Sequence, residues 1–255
     1  MLLTKARQFV CSKCSIQKFG KCLQDICIKC RSHIPVNKGE VQKHGLKWED
    51  DIRRNIFKMT QEEIESISYT NSYDIPSQYN KLEPVNISVK TSGTKTQVCM
   101  ANCLTLFNTV SSSTPFHLLV IFYNQDDELQ EKCLEEIVEI NLTNTKKLLF
   151  GDIKKEEIED LDKLVKSVPQ KESPTKEQHD KLYKMRNLLQ VKSGVIHLDI
   201  KCNSQQSRLQ CSFNKFQRFL NNNNHLIVAK SNTAEFRGGK IIEKIDSKRR
   251  SFNKK

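Results

Sequence analysis

Two side chains sixteen residues apart, Asp74 and Lys90, are the pair in this 255-residue chain best suited to chemistry on a phosphate. A carboxylate can hold Mg²⁺ against a phosphate oxygen, and a neighbouring ammonium can orient the attacking water and neutralise charge building on phosphorus. Lys90 ends the alternating run Val85-Asn-Ile-Ser-Val-Lys90, so a strand would carry it, and an adjacent strand would bring Asp74 to the same point. A helix packed alongside would add Glu49 as a further acid. Asp199 and Lys201 form a second such pair on the strand pattern Val195 to Cys202, but no aspartate on a preceding strand accompanies them, so they rank second. The plain alternative for either lysine is a solvated strand end, and for Asp74 an Asx-turn ahead of Pro76.

A different chemistry is written at the start of the chain. Cys11 and Cys14, then twelve intervening residues, then Cys27 and Cys30, give two CxxC knuckles that together supply the four thiolates of a tetrahedral Zn²⁺ site. Cys22 and His33 are alternate ligands. Four thiolates close the coordination shell, so this zinc is expected to be structural. The centre would carry −2, and Lys13, Lys18, Lys21, Lys29 and Arg31 partly offset that charge.

The elements that must position these groups follow from periodicity. Trp48, Ile52 and Ile56 with Phe57 predict a helix over about 47–58, with Glu49, Asp50 and Asp51 in its first turn. A short turn at 61–65 and a strand over 66–70 precede the Val85–Lys90 strand. Residues 97–110 read as a helix with Cys99, Cys103, Leu106, Phe107 and Val110 on its core face. Phe116–Tyr123 predicts a central strand, and 133–142 another, with Glu135, Glu136 and Glu139 making a helix the competing reading. Helices are predicted at 153–168 and 176–190, the second started by Ser173-Pro174, then strands at 195–202 and 209–213, a short Phe216/Phe219/Leu220 helix, an asparagine run at 221–224, a strand at 225–229 and a basic tail. The order implies an α/β (α+β) fold with a mixed sheet.

Glu49 in HGLKWEDDIRRNIF, Asp74 in YDIPSQYN, Ser88-Val89-Lys90 in NISVKTSG and the TQVCMANCLTLF segment together resemble the PD-(D/E)xK nuclease superfamily, its type II restriction endonucleases in particular, over about residues 44–140. The resemblance implies an αβββαβ core, Mg²⁺ held by Asp74 with Glu49, and Lys90 positioning water or phosphate. Ser88 stands where the family places Asp or Glu, and Glu49 and Glu83 are the candidates to replace that carboxylate. It further implies sequence-specific cleavage of double-stranded DNA and a cognate methyltransferase; the oligomeric state does not follow from the sequence, although a homodimer would let two sites cut two strands symmetrically. The domains expected are a zinc module at 1–40, a nuclease-like core at 44–168, a linker at 169–175 and a basic region at 176–255 that completes the fold and contacts DNA.

Charge distribution supports a polyanionic partner. The net +12 arises from 10 basic and 2 acidic residues in 1–47, 19 and 24 in 48–192, and 13 and 4 in 193–255. Arg208 and Gln210 carry groups that recognise guanine and adenine edges, Lys215 and Arg218 follow them, and Arg237 and Lys240 flank a Gly pair that could approach a DNA backbone. No HExxH, GxxxxGK[ST] or GxGxxG occurs, which disfavours catalytic zinc and nucleotide-driven chemistry. No apolar run reaches the length of a membrane span, and the first ten residues are too polar for a secretory signal, so the expectation is a soluble intracellular protein. The alternatives to a nuclease are a non-enzymatic zinc-dependent DNA-binding or regulatory protein, and a partner-binding scaffold.

Overall fold

The structure, a computed structural model, describes residues 8–10, 17–19, 40–67, 71–126, 128–202 and 207–246. The chain divides into two units, Met1–Lys43 and His44–Lys255. In the first, β1 (Gln8–Val10) and β2 (Gln17–Phe19) pair antiparallel. Cys11, Cys14, Cys22, Cys27, Cys30 and His33, the expected zinc ligands, lie outside the described residues.

The second unit is a mixed α/β structure. Its elements begin with α1 (Glu40–Asn55), which starts in the first unit, and α2 (Gln61–Ser66), then β3 (Asn86–Ser92), β4 (Val98–Asn102), α3 (Cys103–Ser111), β5 (Phe116–Asp126) and β6 (Glu131–Asn141). There follow α4 (Lys146–Phe150), α5 (Lys155–Lys166), α6 (Lys176–Lys192), β7 (Ile196–Lys201), β8 (Arg208–Phe213) and α7 (Phe216–Asn222). A 3₁₀ turn at Asn224–Leu226 leads to β9 (Ile227–Ser231), β10 (Glu235–Phe236), β11 (Gly239–Lys240) and β12 (Lys244–Asp246).

β5 is the central strand. It pairs in parallel with β3, which the crossover through β4 and α3 makes possible, and antiparallel with β6. The far edge of β6 is shared by β9 at one end and β12 at the other. A second, antiparallel sheet runs β4-β8-β7. Leu118, Val120 and Phe122 of β5 enter a large core with α3, α5, β7 and β8, while Leu119 and Ile121 enter a smaller core with Trp48, Ile52 and Ile56 of α1. Burial on both faces is why this strand reads as a continuous apolar run. Leu182, Leu189 and Ile196 join the large core, so residues beyond 176 are part of the same folded unit.

Several expected elements are corrected. α1 starts earlier than expected and ends before Lys58, whose backbone is left-handed (φ 57°), with the Met59 N–H donating to the Arg53 carbonyl as a C-terminal cap. The proposed strand over 66–70 gives way at Ser66 to α2, whose start is set by the Thr60–Glu63 capping box; residues 68–70 are outside the described set. The 97–110 helix is a strand followed by a helix. Val98 and Met100 are buried, Cys99 is exposed, and β4 pairs with β8 more than a hundred residues away, so Cys99 is not on a helical core face. The Asn102 side chain then caps α3 by accepting the Thr105 N–H at 2.9 Å. The start of α6 is capped by Thr175 with Gln178, not by Ser173-Pro174. Of the three strands expected ahead of the crossover helix, the segment before β3 supplies one bridged residue, Ile75, and β4 belongs to the other sheet.

Candidate active site

Asp74 is tied to β3 by its own backbone. Its N–H and that of Ile75 both donate to the Ile87 carbonyl at 3.0 Å, and the Ile87 N–H returns a bond to Ile75 at 2.8 Å. This bridge sets the aspartate against the residues that follow Ile87. Its Oδ2 accepts the Val89 N–H at 2.6 Å, the Ser88 hydroxyl at 3.0 Å and the Lys90 ammonium at 3.2 Å. Lys90 also donates to Ser88 Oγ at 2.7 Å and to the Val89 carbonyl at 2.8 Å. Ser88 and Lys90 alternate along β3, in register with Leu118 and Val120 of β5, so a buried strand fixes their spacing. Asp74 Oδ1 has no hydrogen bond among the described residues, which leaves one carboxylate oxygen open beside a lysine.

The second carboxylate comes from α1. Arg53 lies one turn beyond Glu49 and pairs with it, Nη2 to Oε1, at 2.5 Å, while its Nε donates to the Asp74 carbonyl at 2.8 Å. One guanidinium therefore links the helix acid to the segment that presents the other acid. Sequence reading missed Arg53; the i,i+4 spacing from Glu49 was its signal. Burial raises the Glu49 carboxyl to about 7, helped by the negative charge of Asp74 and, less, of Asp50, and opposed by Arg53 and Lys90. Glu49, Asp74, Ser88 and Lys90 are thus brought into one electrostatic neighbourhood.

Compared with family models, curated proteins and solved structures, the chain matches none.

The two carboxylates repel each other, and burial holds one of them partly protonated despite the Arg53 pairing, so together they present hard oxygen donors. Glu83 is committed elsewhere, which corrects its candidacy for the carboxylate absent at Ser88. Its Oε1 lies 2.6 Å from Arg237 Nη1, and Arg237 Nε lies 2.7 Å from Glu139 Oε2. His117 Nδ1 is 2.7 Å from Glu139 Oε1 and 4.0 Å from Glu83 Oε1. Glu83, His117 and Glu139 are close enough to share a cation, but the guanidinium already supplies the positive charge to Glu139, which is 0% exposed. A polar residue inside the apolar run of β5, His117, was the sequence sign of this cluster.

The remaining predicted residues are spread out. Arg237 is drawn into that internal ion pairing and is corrected from DNA contact to a structural cation. Gln210 is 3% exposed and donates to Cys99 Sγ, so it cannot meet a base edge and is likewise corrected. Arg208 is half-buried opposite Lys201 across β7 and β8, and Lys215, Arg218 and Lys240 are exposed. At the second-ranked pair, Asp199 Oδ2 accepts the Ser212 hydroxyl at 2.7 Å and Oδ1 lies 3.6 Å from His197 Nε2, so both oxygens are engaged without Lys201.

Proposed function

We propose that this protein is a Mg²⁺-dependent endonuclease acting on double-stranded DNA, related to the PD-(D/E)xK nucleases of the type II restriction kind, with Glu49, Asp74, Ser88 and Lys90 as its site. The observation that carries the proposal is the convergence of Lys90 and Ser88 on one oxygen of Asp74 with Glu49 adjacent. The parallel β3/β5 pair joined through α3, directly behind the Lys90 strand, supports the family relationship. Asp74 Oδ1 and Glu49 would hold the Mg²⁺, which when bound supplies Lewis acidity at the scissile phosphate. The Val89 N–H and Ser88 hydroxyl orient Asp74, and Lys90 places positive charge where the phosphorane gains negative charge. Arg53 holds the two acid-bearing segments together. A homodimer would set two such sites on opposite strands, and a cognate methyltransferase would protect host DNA, as the restriction kinship implies. The four-cysteine zinc module would be structural.

Supercoiled plasmid incubated with the wild-type chain should be cut with Mg²⁺ and remain intact with EDTA. Lys90→Ala and Asp74→Ala should each lower the rate by about 10²-fold or more. Cleavage that survives both substitutions would remove the chemistry from this site.

A further inference from the structure

Of the basic residues after 193 that are described, Lys230, Arg237 and Lys244 are neutralised by Glu136, by Glu83 with Glu139, and by Glu131. Lys201, Arg208, Lys215, Arg218 and Lys240 have no such partner among the described residues, and of these Lys215 and Arg218 share one groove. Among the described residues neither side chain makes an ion pair or a hydrogen bond, and both line the wall of an open groove of about 300 Å³ formed by α7, the start of β7 and the end of β8. No carboxylate lines that groove. The other polar side chains are amides and a ring: Gln190, Asn214, Asn222, Asn223 and His197.

From these observations we infer that the groove binds the phosphate backbone of a nucleic acid, with Lys215 and Arg218 as the charge contacts. The inference rests on the proposal that the partner is DNA, and not on the proposed chemistry at Asp74. Lys215, the non-helical residue that leads into α7, and Arg218 in the first turn of that helix both line the groove, so together they address adjacent phosphates. The helix is held rigidly. Phe216 and Phe219 pack on Phe213 with ring centroids 5.1 and 4.8 Å away, and Phe216 also meets Phe122 of the central strand at 5.8 Å. The cations are thus presented on a preformed support, and little ordering of the backbone is needed on binding.

The opposite wall is fixed as well. Gln190 of α6 spends its amide on β7, donating to the Ile196 carbonyl at 2.9 Å and accepting the Leu198 N–H at 2.8 Å. The first N–H groups of α7 are occupied, that of Phe216 by the Thr96 carbonyl at 2.8 Å and that of Gln217 by the Lys95 carbonyl at 3.2 Å. Attraction for an anion therefore comes from side chains and not from the helix end. Asn214 is exposed on the groove wall, its side chain 2.9 Å from the Ser212 oxygen, where its amide can meet a sugar or phosphate oxygen. The asparagine run at 221–224, unremarkable as sequence, supplies two residues of this wall. A polyanion threading an open groove fits it better than a small enclosed ligand.

The test is equilibrium binding of a fluorescent 30-base-pair duplex to the full chain in EDTA, measured by anisotropy from low to moderate salt. Lys215→Glu/Arg218→Glu should weaken binding by about tenfold or more and flatten the salt slope by about two units, since each phosphate contact contributes about 0.9. Lys215→Gln/Arg218→Gln should act in the same direction, with an unchanged circular dichroism melt. Lys176→Glu/Lys181→Glu, an equal charge change at exposed positions of α6, controls for long-range electrostatics and should leave most of the affinity. Equal losses in the two reversed pairs would overturn the groove. So would competition by inorganic phosphate at constant ionic strength that abolishes the difference between variants, which would mark an isolated-anion pocket. A wild-type chain that does not bind the duplex would overturn the groove and the DNA partner together, whereas binding with no cleavage in Mg²⁺ would leave the groove standing and remove only the nuclease.

Discussion

A carboxyl raised to about 7 in a folded protein carries a stability signature of its own. Glu49 is more easily protonated in the native state than in the unfolded chain, so its contribution is fully present below about pH 4.5 and is lost as pH rises through 7. Glu49→Gln should therefore stabilise the protein at pH 8, by up to about 2 kcal/mol once the lost Arg53 pairing is discounted, and the gain should vanish toward pH 4. Urea midpoints of both proteins across that range check this; a gain that grows as pH falls would contradict the assignment. Arg237→Ala should cost about 3–5 kcal/mol, because it strands the buried Glu139 charge, and adding Glu139→Gln should recover part of the loss. At this scale the sequence was informative for Glu49, Ser88 and Lys90, whose types and positions on a helix and a strand carry their own geometry, and for the type of Asp74, whose segment meets β3 only through the Ile75 bridge. It was uninformative for Arg237 and Gln210: a surface arginine and a buried counter-ion look identical until the fold says which acids stand opposite.

Elements with strong internal periodicity were legible, and elements that depend on distant partners were not. β5, α5 and the β7 and β8 strands follow their apolar patterns. The segment 97–102 carries a helical pattern yet pairs as β4 with β8, because two buried residues and a capping asparagine outweigh local propensity. The last strands were read only as a basic tail, since β10, β11 and β12 are two or three residues long and owe their form to α1 and β6. The turn between β10 and β11 provides a sharp test of that dependence. A Cβ on Gly239 would meet the Asn55 carbonyl at 2.5 Å and Ile56 Cδ1 at 2.8 Å, whereas Gly238 has φ 76° and open space around it. Gly239→Ala should cost about 1–3 kcal/mol by overpacking against the end of α1, and Gly238→Ala about 1 kcal/mol from backbone strain alone. Thermal unfolding of the two variants ranks them; the reverse order would mean that the turn does not press on the helix.

Across the whole second unit, the C-terminal segment closes over the helix that carries Glu49. The Trp48 indole N–H donates to the Ile242 carbonyl at 2.9 Å, Asp51 Oδ2 accepts the Ile242 N–H at 2.7 Å, and Ile245 joins Trp48 in the smaller core. Deleting residues 234–255 should therefore loosen α1 and abolish the proposed DNA cleavage while leaving the large core with α3, α5 and β8 able to form, an outcome that hydrogen exchange would resolve by losing protection in α1 before β5. Among the described residues no helix is long and apolar enough to cross a membrane. Trp48 is the single tryptophan of the chain, fully buried, 5.5 Å from the Tyr123 ring and next in sequence to Glu49. The protein thus comes with its own optical probe. Emission from that one indole should be blue-shifted in the native state and shift red when the C-terminal segment lets go, and quenching by added paramagnetic Mn²⁺ would test the proposed metal site at the neighbouring acids, so both can be followed by fluorescence without a label.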